Sequence, residues 1–318
     1  MKIVVTAHPF CRFDNTPQLM LEENNINFSL KPLVEKTSSS DLARIIEDSD
    51  VVIAGTESFT REVFDKAKNL KFISRTGVGY DNIDFKEAKI RNITISITPD
   101  TLTDSVAELN VSLMILLLRK AHLMNQEMRE TIWRRRIGKT LADSTIGIIG
   151  TGRIGSRIID LLNEFNCKEI LINDRVQNRR INKENTKWSK KEEIFVKSDI
   201  ISINVPLNKT TTNMVGLKEL HMMKKDAAII NTSRGGIINE NDLKLVLAED
   251  HLSGVAIDVF ENEPYKGPLS GINRCFLTPH IASMTLGSRK LTEIEATAEV
   301  IRYVKGEPLI NEVTHYIK

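Results

Sequence analysis

The stretch TIGIIGTGRIG, residues 145–155, decides the fold. Thr145 to Ile149 is an apolar, isoleucine-rich run of strand length. It ends at Gly150, and a helical pattern opens at Arg153, so Gly150, Gly152 and Gly155 stand at a strand-to-helix turn. In that setting each glycine has a task. Gly150 makes the tight turn, Gly152 removes the side chain that would block a pyrophosphate, and Gly155 lets helix and sheet approach closely. The first amides of the helix, from Arg153 and Ile154 onward, then face the phosphates. Asp174 ends the next strand pattern, 19 residues beyond Gly155. A carboxylate there binds ribose hydroxyls and repels the extra phosphate of NADP, although the adjacent Arg175 weakens that discrimination.

Working outward, strand and helix patterns alternate. Strands are expected at Lys2–Thr6, near Phe28, and at Val51–Ala54, Phe72–Ser74 and Ile93–Ile97. Helices are expected at 16–24 and Asp41–Glu47, and another from a Thr60 cap to Asn69. Beyond Pro99, one long helix is expected over Ser105–Met124. The fingerprint strand and helix follow, then strands at Glu169–Asn173, Ile200–Asn204, Ala228–Asn231, Gly254–Asp258 and Cys275–Leu277. Helices at Gly216–Met223 and Glu240–Ala248 fall between them, and a last helix covers 286–305. The polar stretch Gln177–Lys191 reads as an exposed segment, with Trp188 needing a place on the surface or in the core. Such alternation indicates parallel sheets covered on both faces, the α/β class.

Composition narrows the function. With 44 Lys and Arg against 42 Asp and Glu, the net charge is +2, which argues for neither a nucleic-acid nor a membrane partner. The longest apolar run, Val111–Leu118, is too short to span a bilayer, and MKIVVTAHPF lacks the apolar stretch of a signal peptide. Cys11, Cys167 and Cys275 are odd in number and have no metal-like spacing, so no metal is expected and a reducing cytoplasm is.

Three residues carry candidate chemistry. His280 follows an apolar strand and suits proton exchange near neutral pH. Glu263, in FENEP at 260–264, is a candidate to orient it. Arg234, in NTSRGG at 231–236, lies just past another strand and can fork onto a carboxylate.

Together with Arg75–Asp84, Ser105–Glu108, Val205–Leu207 and Thr278–Thr285, these motifs make the chain resemble the D-isomer-specific 2-hydroxyacid dehydrogenases, including the phosphoglycerate dehydrogenase branch. The resemblance spans nearly the whole chain. It implies two Rossmann-like or flavodoxin-like parallel-sheet domains separated by a cleft. Residues 1–99 plus 286–318 would form a discontinuous substrate-binding domain, and 100–285 the NAD-binding domain. It implies NAD as cofactor and hydride exchange with a D-2-hydroxy acid or its 2-keto partner. Arg234 would bind the substrate carboxylate and keto oxygen, and Glu263 with His280 would supply the acid–base pair. Arg75 and the backbone around Val78 and Gly79 would hold substrate. Pro206, Thr232 and Asp258 would join the cofactor site, Asp258 near the carboxamide. A homodimer through the NAD-binding domain is also implied, with the 105–124 helix and the Trp133 segment as its contact.

The chain departs from its relatives in places. Asn204 stands where many carry a histidine. Some phosphoglycerate enzymes carry an arginine where this chain reads Gly55-Thr56-Glu57. Glu57 would repel a phosphate if it faces the cleft, with Arg75 or Arg134 to Arg136 available to offset it. 3-Phosphoglycerate is the first substrate expectation, with glyoxylate and bulkier or sugar-derived acids beside it. Glu263 counts against formate, whose enzymes usually carry glutamine there. The alternative reading is a nonenzymatic NAD-binding sensor or corepressor on the same fold.

Overall fold

The computed structural model describes residues 1–33, 37–178, 181 and 183–314. The chain divides by contact into two units, Met1–Leu102 with Met284–Lys318, and Thr103–Ser283.

The first unit begins β1 (Ile3–Val5), α1 (Thr16–Glu23), β2 (Phe28–Leu30), α2 (Ser39–Ile46), β3 (Val51–Ala54), α3 (Arg61–Lys66), β4 (Phe72–Arg75), α4 (Phe85–Ile90) and β5 (Thr94–Ser96). Its described strands form one parallel sheet in the order β2-β1-β3-β4-β5. β1 and β3 are buried throughout, which is why they read as unbroken apolar runs. Ser38 caps α2 by accepting from the Asp41 amide, and Leu42, Ala43 and Ile46 turn inward. Leu42 and Ile46 each contribute roughly 1.5–3 kcal/mol when fully buried.

The second unit runs α5 (Thr103–Leu118), α6 (Ala121–Arg129), β6 (Thr145–Ile149), α7 (Arg153–Glu164), β7 (Glu169–Asn173), β8 (Thr186–Trp188), α8 (Lys191–Lys197), β9 (Ile200–Ile203), α9 (Leu217–Met222), β10 (Ala228–Asn231), α10 (Glu240–Ala248), β11 (Gly254–Ile257) and β12 (Cys275–Leu277). Its sheet is parallel in the order β12-β11-β10-β9-β6-β7-β8. The chain steps from β6 to β7 on one side and later returns to place β9 on the other. That reversal creates a crevice at the carboxyl ends of β6 and β9, where sheets of this kind take ligands. Separate apolar clusters cover the two faces, one around Phe195, Ile229 and Leu243, the other around Met114, Ile148 and Ile158.

The helix α11 (Leu286–Lys305) belongs to the first unit. Thr285 caps it, Gly306 ends it at φ +70°, and its Ala296 and Val300 pack into the core beside β1 and β3. Its buried Arg289–Glu293 pair holds the loop after β1 through the Pro9 carbonyl and the Cys11 amide. No helix among the described residues is long and apolar enough to cross a membrane.

Four local expectations need correction. The α3 helix stops at Lys66 rather than Asn69, because Ala67 leaves the helical region at ψ +62° and both Ala67 and Leu70 then reach the core. Thr60 sits at its cap position without a side-chain cap hydrogen bond. The stretch 177–191 is not wholly exposed. β8 pairs with β7, so Trp188 packs at the edge of the core, while residues 179, 180 and 182 lie outside the described ones. The long 105–124 helix is two helices, broken at Lys120, which takes a left-handed φ of +52°. The break has a cause. Leu118 offers its carbonyl to the Lys139 amide, and Gly138 is seated so closely that a Cβ would lie 2.4 Å from that oxygen.

A glycine relieves left-handed strain of about 1 kcal/mol, but costs about 1 kcal/mol inside a continuous helix. Lys120→Gly is therefore expected to be neutral or slightly stabilising in urea unfolding. A loss near 1 kcal/mol would contradict a left-handed break at Lys120.

Candidate active site

The crevice of the second sheet is built by glycine geometry. Gly150 turns the chain at φ +98°, and a Cβ on it would lie 2.3 Å from the Asn204 carbonyl oxygen. One on Gly155 would lie 2.0 Å from the Gly150 carbonyl oxygen. These two glycines close the turn against the sheet and helix. Gly152 is different, since a Cβ there would meet nothing within 4 Å. It stands at the N-cap of α7 and faces open space, with Arg153 exposed and Ile154 packed inward. A phosphate group fits that description, with open room in front of the N-terminus of a 12-residue helix.

Asp174 follows β7 and is tied to the same turn. Its Oδ2 accepts from the Thr151 amide at 2.6 Å and the Thr151 hydroxyl at 3.1 Å. The sequence reading passed over Thr151, the variable position of the fingerprint, which here sets where the acid stands. On the other side of β6, Asn204 donates to the Ser202 hydroxyl at 2.9 Å, while its buried Oδ1 has no hydrogen-bond partner. Pro206 is exposed and its carbonyl accepts the Thr211 hydroxyl. Thr232 is buried and accepts from Asn110 on α5 at 3.0 Å.

The chemical groups come from loops at the ends of β10, β11 and β12. Asn231 shapes the first loop, accepting from Ser233 and donating to the Arg234 carbonyl at 2.8 Å. The Arg234 guanidinium donates to the Ser233 carbonyl at 2.7 Å. Gly235 presses this loop onto the next, since a Cβ there would lie 1.9 Å from the Phe260 carbonyl oxygen. In that second loop Glu263 accepts from the Phe260 amide at 3.1 Å. His280 Nδ1 meets Glu263 Oε2 at 2.9 Å. The structure thus brings Glu263 and His280 into contact, with the charge of Arg234 near enough to act on Glu263.

Asp258 holds this arrangement. Its carboxylate has no solvent exposure and accepts the Thr278 hydroxyl at 2.6 Å, the Ile281 amide at 2.8 Å and the Ala282 amide at 2.9 Å. Its carbonyl accepts the His280 amide at 2.9 Å, and its own amide bonds the Asn231 carbonyl. His280 is held at φ +54°, a conformation that a non-glycine residue adopts only when its surroundings impose it.

Arg75, Val78 and Gly79 lie in the first unit. Arg75 ends β4, is 9% exposed, and donates to the Thr76 carbonyl at 2.8 Å. Its guanidinium occupies the place a side chain on Gly77 would take, 1.3 Å from the Cβ position. Val78 and Gly79 follow it, partly buried.

The model of the D-isomer specific 2-hydroxyacid dehydrogenase family, NAD binding domain, matches residues 111–282. A glyoxylate reductase of Thermofilum pendens is 37% identical over 283 residues, covering 85% of this chain and 83% of its own. The crystal structure of a glyoxylate reductase from Paecilomyes thermophila matches with a TM-score of 0.88 at 27% identity, covering 100% of this chain and 99% of that one. An NAD-dependent formate dehydrogenase from Staphylococcus aureus, solved with NAD, matches with a TM-score of 0.84 at 30% identity over 97% of each chain.

The Glu263–His280 contact leaves a pH signature. Burial pushes the Glu263 carboxyl up, but the adjacent His280, the Phe260 amide and the charge of Arg234 outweigh it, and the net shift is downward. A carboxyl depressed in the folded state adds stability above its unfolded value, about 4.3, and loses it as pH falls through the folded value. Glu263→Gln is therefore expected to destabilise the protein at pH 7, and less so as pH drops below about 4.3. Thermal melts of both proteins across that range check this; a difference constant with pH would contradict it.

Proposed function

This chain belongs to the D-isomer-specific 2-hydroxyacid dehydrogenases and is an NAD-dependent oxidoreductase, and we propose that it reduces a small 2-keto acid, glyoxylate first among them, to the 2-hydroxy acid. The observation that carries the reading is the 2.9 Å contact of Glu263 with His280 Nδ1, beside the charge of Arg234.

NADH, when bound, supplies the hydride that reaches the keto carbon. Glu263 accepts a hydrogen bond from Nδ1–H and so fixes the tautomer and plane of the ring. In the reduction the ring enters as imidazolium, and Nε2 donates its proton to the keto oxygen as hydride arrives, leaving the neutral ring with its Nδ1 proton. In the reverse direction it takes the hydroxyl proton, and Glu263 stabilises the imidazolium that forms. Arg234 offers a planar, permanently charged fork to the substrate carboxylate and to charge developing on the keto oxygen. Its loop is fixed by Asn231, so little reorganisation is needed when substrate arrives. In the first unit, Arg75 stiffens the turn from which the amides around Val78 and Gly79 hold the substrate carboxylate.

For the cofactor, Gly150, Gly152, Arg153, Ile154 and Gly155 form the phosphate cradle and Asp174 takes the ribose hydroxyls. Pro206, Thr232 and Asp258 serve the nicotinamide side. The three unpaired cysteines suit a reducing cytoplasm. A homodimer would cover Trp133 and Ile137, which are 80% and 94% exposed on the NAD-binding unit.

The test is NADH oxidation with glyoxylate, pyruvate, hydroxypyruvate and 3-phosphohydroxypyruvate. Saturable turnover of glyoxylate is expected, falling about 10²- to 10⁴-fold in His280→Ala. Tight NADH binding without turnover of any keto acid would overturn the reading in favour of a nonenzymatic NAD sensor.

A further inference from the structure

The first unit has a switch point of its own. In the order β2-β1-β3-β4-β5 the chain leaves β1 for β2 on one side and returns to lay β3 on the other. The crevice therefore opens at the carboxyl ends of β1 and β3. Thr6 follows β1 there, and Gly55 and Glu57 follow β3.

Glu57 folds back into this place. A Cβ on Gly55 would fall 2.9 Å from Glu57 Oε2 and 3.4 Å from Ala7 Cα, so the carboxylate rests against the bare glycine. The Thr6 hydroxyl and the amides of Gly55 and Glu57 face the group. Even so, Oε1 is shielded from solvent and accepts no hydrogen bond. Burial pushes the carboxyl up and outweighs those donors and the charge of Arg75, so the net shift is upward. A buried acceptor without a donor is uncommon, and one at a ligand crevice calls for a donor from the ligand. The backbone joins this residue to the loop bearing Val78 and Gly79. Asn82 donates to the Glu57 carbonyl at 2.7 Å, and the Asn82 carbonyl accepts the Phe59 amide at 2.8 Å.

We propose that Glu57 determines substrate specificity: its unpartnered oxygen accepts a hydroxyl carried on the carbon beyond the keto group, and its side chain disfavours a phosphate at that place. The proposal rests on the reading of the loop at Val78 and Gly79 as the holder of the substrate carboxylate. A 2-keto acid with a 3-hydroxyl supplies the missing donor. A 3-methyl supplies none, and a 3-phosphate brings acceptors.

The experiment compares kcat/KM with NADH for glyoxylate, pyruvate, hydroxypyruvate and 3-phosphohydroxypyruvate in the wild type, Glu57→Gln and Glu57→Leu. Melts and NADH fluorescence titration establish that each variant is folded. The wild type is expected to prefer hydroxypyruvate over pyruvate by about ten- to a hundredfold. Glu57→Leu should bring that ratio near one, and Glu57→Gln should raise use of 3-phosphohydroxypyruvate relative to hydroxypyruvate. Equal wild-type use of pyruvate and hydroxypyruvate would overturn the proposal, as would ratios unchanged in a folded variant; if neither variant folds, the wild-type ratio decides. Glyoxylate turnover with equal ratios sinks the specificity proposal alone, whereas no turnover of any acid sinks the underlying reading and this proposal with it.

Discussion

The buried carboxylate of Asp258 is the constraint on which the candidate site depends. It follows β11, and hydrogen bonds from Thr278, Ile281 and Ala282 converge on its two oxygens. The His280 amide is held by the carbonyl of the same residue. A charged acceptor without solvent contact is stable only when its donors are supplied in good geometry. Here those donors are the loop that presents His280, so satisfying the charge and placing the imidazole are one event. The link from Asp258 to the Asn231 carbonyl extends the constraint toward the loop of Arg234. Three loops that are far apart in sequence thereby share one anchor.

The glycines impose the complementary constraint. Gly150, Gly155 and Gly235 sit where a Cβ would fall about 2 Å from a carbonyl oxygen. Each position is a backbone-to-backbone approach that fixes a loop against its neighbour. Gly152 differs from these three, with open space before it, and it is there that the proposed function puts the cofactor phosphates. The two sheets thus follow one physical rule. Each reverses its strand order beside its first strand, and each collects polar groups at the crevice so formed.

The sheet elements were legible because both faces of each central strand are buried, leaving apolar runs such as Val51–Ala54 and Ala228–Asn231 with matching ends. Helices whose limits depend on distant contacts were not. Nothing local announces that Leu118 will give its carbonyl to Lys139, so α5 and α6 read as one helix. The short α4 was also missed, although Asp84 caps it through the Glu87 amide and could have marked its start. β8 is an edge strand of polar composition, and its pairing with β7 is a tertiary fact. Of the site, the fingerprint glycines were readable from local order. The meeting of Glu263 with His280 was only implied by resemblance, because their separation in sequence says nothing of distance. The anchoring by Asp258 and the tie from Thr151 to Asp174 depend on register between strands, which no single motif records.

The central claim is that Asp258 sets His280 for proton transfer. The most direct measurement is kcat for glyoxylate reduction by Asp258→Asn at saturating NADH, with folding verified by thermal melt. Asparagine offers one carbonyl oxygen in place of two carboxylate oxygens and turns an NH2 toward at least one fixed backbone N–H. The loop must shift, and kcat is expected to fall by at least about tenfold. A folded Asp258→Asn protein with wild-type kcat would contradict the account, because His280 would then be positioned without the carboxylate that this structure places beneath it.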